Sequence, residues 1–200
     1  MTTSVLRQIA AWCLHYPDDE LYRHLPLLRD AARELAPRPE VAALHEFLGY
    51  LGAADQAEAA AHYVEVFDTK ARRCLYLTWY TDGDTRRRGE ALLQLKQTYR
   101  VHGMEPAGDE LPDYLPTLLE FAATCPGGAT AAARQLLAWF RPGVELLAAN
   151  LARFGTPYTA VVAAALGTFP AAIARPPEHP PLELVGIDPY PRPVTSGGRR

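Results

Sequence analysis

The chain has 200 residues, 48% hydrophobic and 22% charged, with 20 Lys and Arg against 23 Asp and Glu for a net charge of −3. That length suits one globular domain, which buries roughly 70–75% of its unfolded surface and needs neither disulfide nor metal to fold. The slight acidity argues against a general nucleic-acid binder, because phosphate neutralisation supplies most of such affinity, although a local basic patch stays compatible with it.

The periodicity is helical almost throughout. Val5, Leu6, Ile9, Trp12, Cys13 and Tyr16 recur at i, i+3 and i+4 until Pro17 stops the run. This N-terminal run is short and is interrupted by Arg7, Gln8 and His15, so it reads as a helix rather than a signal peptide. Leu21, Leu25, Leu28 and Leu35 continue the pattern, with Pro26 expected to split the segment into a turn and a longer helix. Val41, Leu44, Phe47, Leu48 and Leu51 form the next stripe. Asp55, with Glu58 three residues on, predicts the start of a helix carrying Tyr63, Val66 and Phe67. Asp84 is placed to cap a helix bearing Leu92, Leu95 and Tyr99 that Gly103 ends. Asp113 is placed to cap the next one, with Pro116 in its first turn and Leu118, Leu119 and Ala122 facing the core. Further helices fit Thr130–Phe140, Gly143–Phe154 and Pro157–Phe169, punctuated by Pro142, Gly155 and Thr156. No alternating strand pattern interrupts the series, so the expected fold is all-α: a single-domain helical bundle over residues 1–175, followed by a proline-rich flexible tail over 176–200. The richest apolar stretch, Thr156–Ala174, is mostly alanine with glycine and proline and suits a buried helix rather than a membrane span. A soluble, cytoplasmic protein is expected.

Cys13, Cys74 and Cys125 lie far apart with no C-x-x-C, and the six histidines form no H-x-x-x-H pair. No metal or other cofactor is expected. Arg86–Arg88 beside Gly83 and Asp84 reads either as an anion site at a helix start or as a capped helix with a solvated basic face. There is no Walker-type or dinucleotide fingerprint to favour the first. Glu110 and Asp113 pair acids in a spacing open to acid–base work, but acids at a helix start are favoured by the helix dipole in any case. Tyr76, Trp79 and Tyr80 stand at i, i+3 and i+4. On a helix they form one aromatic face, either packed in the core or exposed as an interface anchor.

Four blocks stand in order: Tyr63–Asp68 (YVEVFD), Arg73–Tyr80 (RCLYLTWY), Gly83–Gly89 (GDTRRRG) and Glu110–Leu115 (ELPDYL). In this order and spacing they resemble the NarJ-type chaperones that assemble the molybdenum cofactor into respiratory nitrate reductase. The likeness is weaker from Ser4 to Leu51 and fades after Phe169. The resemblance implies the helical fold of the superfamily that includes NarJ, TorD and DmsD. It implies a system-specific chaperone, not an enzyme, that binds the N-terminal segment of the apo catalytic (alpha) subunit and supports molybdenum cofactor insertion without holding a cofactor itself. Molybdenum cofactor biosynthesis proteins are further partners under that reading; nucleic acid and direct membrane insertion are not. The resemblance also implies client-peptide contact by Glu110, Asp113 and Tyr114, and a loop-organising role for Asp84, Arg86 and Arg88 through carboxylate pairs. Tyr76, Trp79 and Tyr80 complete the expected client site, with Glu65 or Glu120 as additional acids. The alternatives are a chaperone for another molybdoenzyme with a twin-arginine leader, a small nucleotide-binding or hydrolytic enzyme using Arg86–Arg88 and the acids, and a structural helical adaptor.

Overall fold

The structure, a computed structural model, describes residues 2–105, 110–124 and 130–173. The expected tail at 176–200 lies outside these residues, as does Cys125. Among the described residues there are nine α-helices: α1 Thr2–Leu14, α2 Asp19–Arg33, α3 Pro39–Ala53, α4 Gln56–Phe67, α5 Thr78–Asp82, α6 Arg86–Val101, α7 Leu115–Thr124, α8 Thr130–Phe154 and α9 Tyr158–Leu166. A single 3-10 turn, Ala71–Arg73, follows α4. Extended pairing among the described residues is limited to one antiparallel bridge, between Tyr76 and Tyr114. The all-α class expected from the periodicity is the one found.

Helix α1 is the hub. It packs against α2, α3, α7 and α9, burying Leu6, Ile9, Ala10, Ala11, Cys13 and Leu14. Two adjacent alanines let neighbouring backbones approach from two sides. Arg7 ties the far end of the hub together. Its guanidinium donates to Ala122 O at 3.0 Å and to Thr168 O at 2.8 Å, joining the ends of α7 and α9 to α1.

Local signals set several boundaries as expected. Asp55 accepts from the N–H groups of Ala57 and Glu58 at 2.9 and 3.3 Å and starts α4. Gly103 follows α6 at φ 77°, a conformation open to glycine at no steric cost. Asp18, not singled out by the sequence, caps α2 through Glu20 N and Leu21 N, both at 2.9 Å.

Three expectations are corrected. Pro26 does not split α2, which runs unbroken from Asp19 to Arg33. The proline lies on the exposed side of the helix. Pro142 likewise sits inside one continuous α8. The carbonyl it cannot serve, that of Ala138, accepts instead from Ile173 N at 3.3 Å. Asp84 does not cap α6: the N-cap position is Thr85, which makes no side-chain cap bond there.

Between α4 and α5 the chain is stapled by a buried arginine. Arg73, 5% exposed, donates to Val66 O at 2.8 Å and to Glu65 O and Thr69 Oγ1 at 3.0 and 3.1 Å. Its guanidinium lies 4.2 Å from the Phe154 ring centroid. A fixed cation thus meets the carbonyl end of α4, where the helix dipole is negative. The segment that follows runs antiparallel to residues 111–115, with Leu77 N donating to Asp113 O at 3.0 Å and Leu115 N to Leu75 O at 2.8 Å. This pairing brings two of the four sequence blocks side by side.

Candidate functional site

A groove opens around Tyr16, just past the end of α1. Three adjoining pockets form it, of about 800, 290 and 240 Å³. The widest and the middle one share Tyr16, Asp18 and Glu20; the middle and the narrowest share Tyr16, Glu110 and Tyr114. Tyr16 is 47% exposed at this junction. It closed the apolar stripe of α1 in the sequence, yet it lies beyond the last helical residue, so it escapes the core.

The floor is built by tyrosines that close the end of α1. The hydroxyls of Tyr63 and Tyr114 lie 2.9 Å apart, and each reaches Leu14 O, at 3.1 and 3.3 Å. The Tyr16 ring stands edge-on to Tyr63 at 5.5 Å, and Tyr76 lies 5.6 Å from Tyr114. Trp12 and His15 extend the aromatic lining along α1.

The walls are acidic. Asp18, Asp19, Glu20 and Asp55 line the wide end; Glu120 and Glu110 line the middle and Asp68 the narrow end. Arg23 and His15 are the basic side chains facing them. Two of the acids are held in place. Tyr76 donates its hydroxyl to Glu110 Oε2 at 3.1 Å, and the His15 ring meets Glu120 Oε1 at 3.1 Å. Asp18 and Asp55 are also engaged by helix N–H groups, and Asp19 accepts from the Gln56 amide at 2.9 Å.

Of the six residues expected to contact a client, Tyr76, Glu110 and Tyr114 come together in this groove. Trp79 and Tyr80 do not line it. Tyr76 precedes α5 and is extended, so the three aromatics do not share a helix face as expected. Tyr80 turns inward and donates to Arg72 O and Cys74 O, both at 3.0 Å.

Asp113 is only 1% exposed and does not cap α7. Its Oδ2 accepts from Thr78 N at 3.0 Å and from the Thr78 hydroxyl, capping the first turn of α5 instead. The Thr78 hydroxyl in turn accepts from Arg88 Nε at 3.2 Å. Arg88 thus reaches the start of α5 through a threonine hydroxyl rather than through a carboxylate. Arg86 pairs with Glu90 of its own helix at 3.6 Å, and Asp84 is exposed.

Trp12, His15, Tyr16, Asp18, Glu20 and Asp68 went unrecognised as site residues in the sequence. The available signal was the acidic run DDE directly after an aromatic helix end. Among the described residues, no three His, Cys, Asp or Glu side chains gather as a metal site. Among them too, no helix is long and apolar enough to cross a membrane.

Burial raises the phenol pKa of Tyr63, Tyr114 and Tyr158 well above the ordinary value. Burial, and then the neighbouring Glu110 carboxylate, pushes Tyr76 from 10.0 up to about 12. A phenol whose folded pKa is raised contributes stability that is complete below the unfolded value and is lost as pH rises through the folded one. Stability is therefore expected to fall above pH 10. Alkaline titration followed by phenolate absorbance and circular dichroism should show the buried tyrosines ionising only as helicity is lost. All ten tyrosines titrating together with helicity intact would contradict this packing.

A family model described as nitrate reductase delta subunit matches residues 34–164. The nitrate reductase-like protein NarX of Mycobacterium tuberculosis (strain ATCC 25618 / H37Rv) is 37% identical over 164 residues, 82% of this chain and 24% of that protein. The probable nitrate reductase molybdenum cofactor assembly chaperone NarJ of Bacillus subtilis (strain 168) is 36% identical over 138 residues, 69% of this chain and 73% of that one. The nitrate reductase molybdenum cofactor assembly chaperone NarJ of Escherichia coli (strain K12) is 36% identical over 120 residues, 59% and 51% of the two chains. The chain thus spans about a quarter of the mycobacterial relative and about half of the Escherichia coli one. The crystal structure of a putative redox enzyme maturation protein from Archaeoglobus fulgidus superposes with a TM-score of 0.61 over 82% of this chain and 91% of that one, at 18% identity, a likeness of fold.

Proposed function

Because this chain belongs to the nitrate reductase delta subunit family, we propose that it is a NarJ-type assembly chaperone that acts in the cytoplasm on the apo catalytic subunit of a respiratory nitrate reductase. It holds that subunit's N-terminal segment in the groove around Tyr16 while the molybdenum cofactor enters the client. The observation that carries this reading is the groove itself: aromatic floor, acidic walls, and a width open to solvent at one end.

A peptide suited to that lining is a basic amphipathic helix. Its apolar face lies on Trp12, Tyr16, Tyr76 and Tyr114, and its cations meet Glu110 and Glu120. Tyr76 and His15 hold those two carboxylates before the peptide arrives, which lowers the side-chain entropy lost on binding. Charge complementarity sets orientation and speeds encounter, while the aromatic floor supplies most of the affinity. Asp113, Tyr80 and Arg88 serve this reading from behind, by fixing the segment that carries Tyr76.

Calorimetric titration with a synthetic peptide of the client's N-terminus tests the reading. Binding is expected, and Glu110→Gln should weaken it about fivefold at low salt, a loss of about 1 kcal/mol that shrinks as salt screens the charge. A wild-type chain that ignores this peptide sinks the reading. Tighter binding of a twin-arginine leader from another molybdoenzyme would move the client assignment to that enzyme.

A further inference from the structure

The groove suits a basic helix with exposed apolar side chains, and the chain displays such a helix on its own surface. Helix α6 buries Ala91, Leu95 and Tyr99. Its opposite face exposes Leu93 at 71% and Val101 at 73%, eight positions apart, with the exposed polar side chains of Lys96, Gln97 and Arg100 between them. Arg87, like Lys96, is exposed. Arg86 and Arg100 add charge, partly offset by Glu90 and Glu105 at 3.6 and 2.9 Å. Exposed aliphatic side chains set among cations are complementary to a surface that is apolar within and acidic at its edges.

The chain's own groove is out of reach. Tyr99 donates to Pro112 O at 2.9 Å and packs on Phe121 at 4.8 Å. These contacts pin the inner face of α6 to the segment beside Glu110 and to α7, so the outer face points away from the groove of the same molecule.

We propose that the exposed face of α6 docks into the acidic, aromatic-lined groove of a second copy of this chain. The proposal rests on reading the groove as a site for basic amphipathic helices. Leu93 and Val101 lie toward Tyr16 and Tyr114 of the second copy, and Arg87 and Lys96 meet its acids. The contact is head-to-tail, so each pair leaves one groove and one α6 face open, and association grows with concentration instead of stopping at a closed dimer. Client and second copy compete for the same groove. A concentrated pool of chaperone therefore keeps its grooves covered, and client releases it.

Sedimentation of the full chain at low salt, from about 1 μM to about 1 mM, tests this. The average mass should climb from 22.0 kDa toward multiples of it. It should fall back on adding the client peptide, or at about 1 M salt, where the screening length shrinks to about 3 Å. The Arg87→Glu/Lys96→Glu variant should stay at 22.0 kDa throughout yet bind client peptide like wild type when dilute. The Glu110→Lys/Glu120→Lys variant should also stay monomeric, and mixing the two reversed variants should restore association, because each altered face then meets its complement. A wild type that holds 22.0 kDa at every concentration, or reversed variants that do not associate on mixing, overturns the proposal. Dilute peptide titration judges the groove separately: a chain that binds peptide but never self-associates loses only this inference. One that self-associates through both faces but ignores the peptide loses only the client reading.

Discussion

Asp113→Ala is expected to destabilise the fold by about 3 kcal/mol, among the largest losses available from one side chain outside the apolar core. The carboxylate is 1% exposed and accepts both the backbone N–H and the hydroxyl of Thr78. Charge-assisted bonds in a dry setting are about twice as strong as neutral ones, and cutting the side chain leaves a buried N–H unpaired. The damage spreads, because the same threonine hydroxyl receives Arg88 from α6. At an m-value of about 2 kcal/mol per molar, the urea midpoint should drop by roughly 1.5 M. Asp113→Asn keeps an acceptor of the same shape and should lose clearly less. If alanine shifts the midpoint by under about 0.2 M, the carboxylate contributes little beyond its volume. An Asp113→Asn variant that keeps the segment carrying Tyr76 in place should bind client peptide nearly as wild type does, since Asp113 itself is buried beneath the groove surface.

Arg73→Ala should follow closely, at about 3 kcal/mol. It strips the donor from Val66 O and Glu65 O at the end of α4 and uncovers the Phe154 ring. The carbonyl end of a helix left buried without donors costs more than an exposed end, where water fills in. Arg73→Lys retains the charge but not the planar fork that reaches three acceptors at once, so it should recover less than half of the loss. Urea unfolding of the two variants decides. A lysine variant as stable as wild type would mean that charge at the α4 terminus, not the guanidinium geometry, holds the turn. Because α4 also carries Tyr63, whose hydroxyl closes the end of α1, the alanine variant should loosen the groove floor as well as the core.

These two residues mark where legibility ended. Asp113 reads in the sequence as a cap because it precedes an apolar helix by two positions, and the capping rule is local. Its actual partner is Thr78, 35 positions away. Arg73 sits between two other features, the short run before it and the aromatics after it, and nothing in its neighbours signals burial. Pro26 and Pro142 also read as breaks. Pro142 is tolerated where the carbonyl it frees, that of Ala138, accepts from Ile173 N, and Pro26 lies on the exposed side of an unbroken α2.

The groove divides in the same way. Tyr76, Glu110 and Tyr114 were legible as one unit only through the spacing of the blocks that contain them. Tyr16 was legible as the end of a helical stripe, but neither it nor His15 as a neighbour of Tyr114: that ring stands 5.8 Å from His15 although nearly a hundred residues lie between them.

What the sequence determined by itself is the helical class, the positions of most helices, and the cap at Asp55. Those depend on side chains within four or five positions of each other, where the 3.6-residue repeat and the unpaired N–H groups of a helix start act directly. Which side chains meet in the groove was decided by tertiary structure alone. The end of α1, the turn before α2, the end of α4 and the segment before α7 converge because α1 is buried on several sides and Tyr63 and Tyr114 both close on Leu14 O. Burial also decided the fate of the acids. Asp113, drawn under the surface by a backbone pairing, became a structural acceptor, while Glu110, three positions earlier, stays exposed and accepts from the Tyr76 hydroxyl.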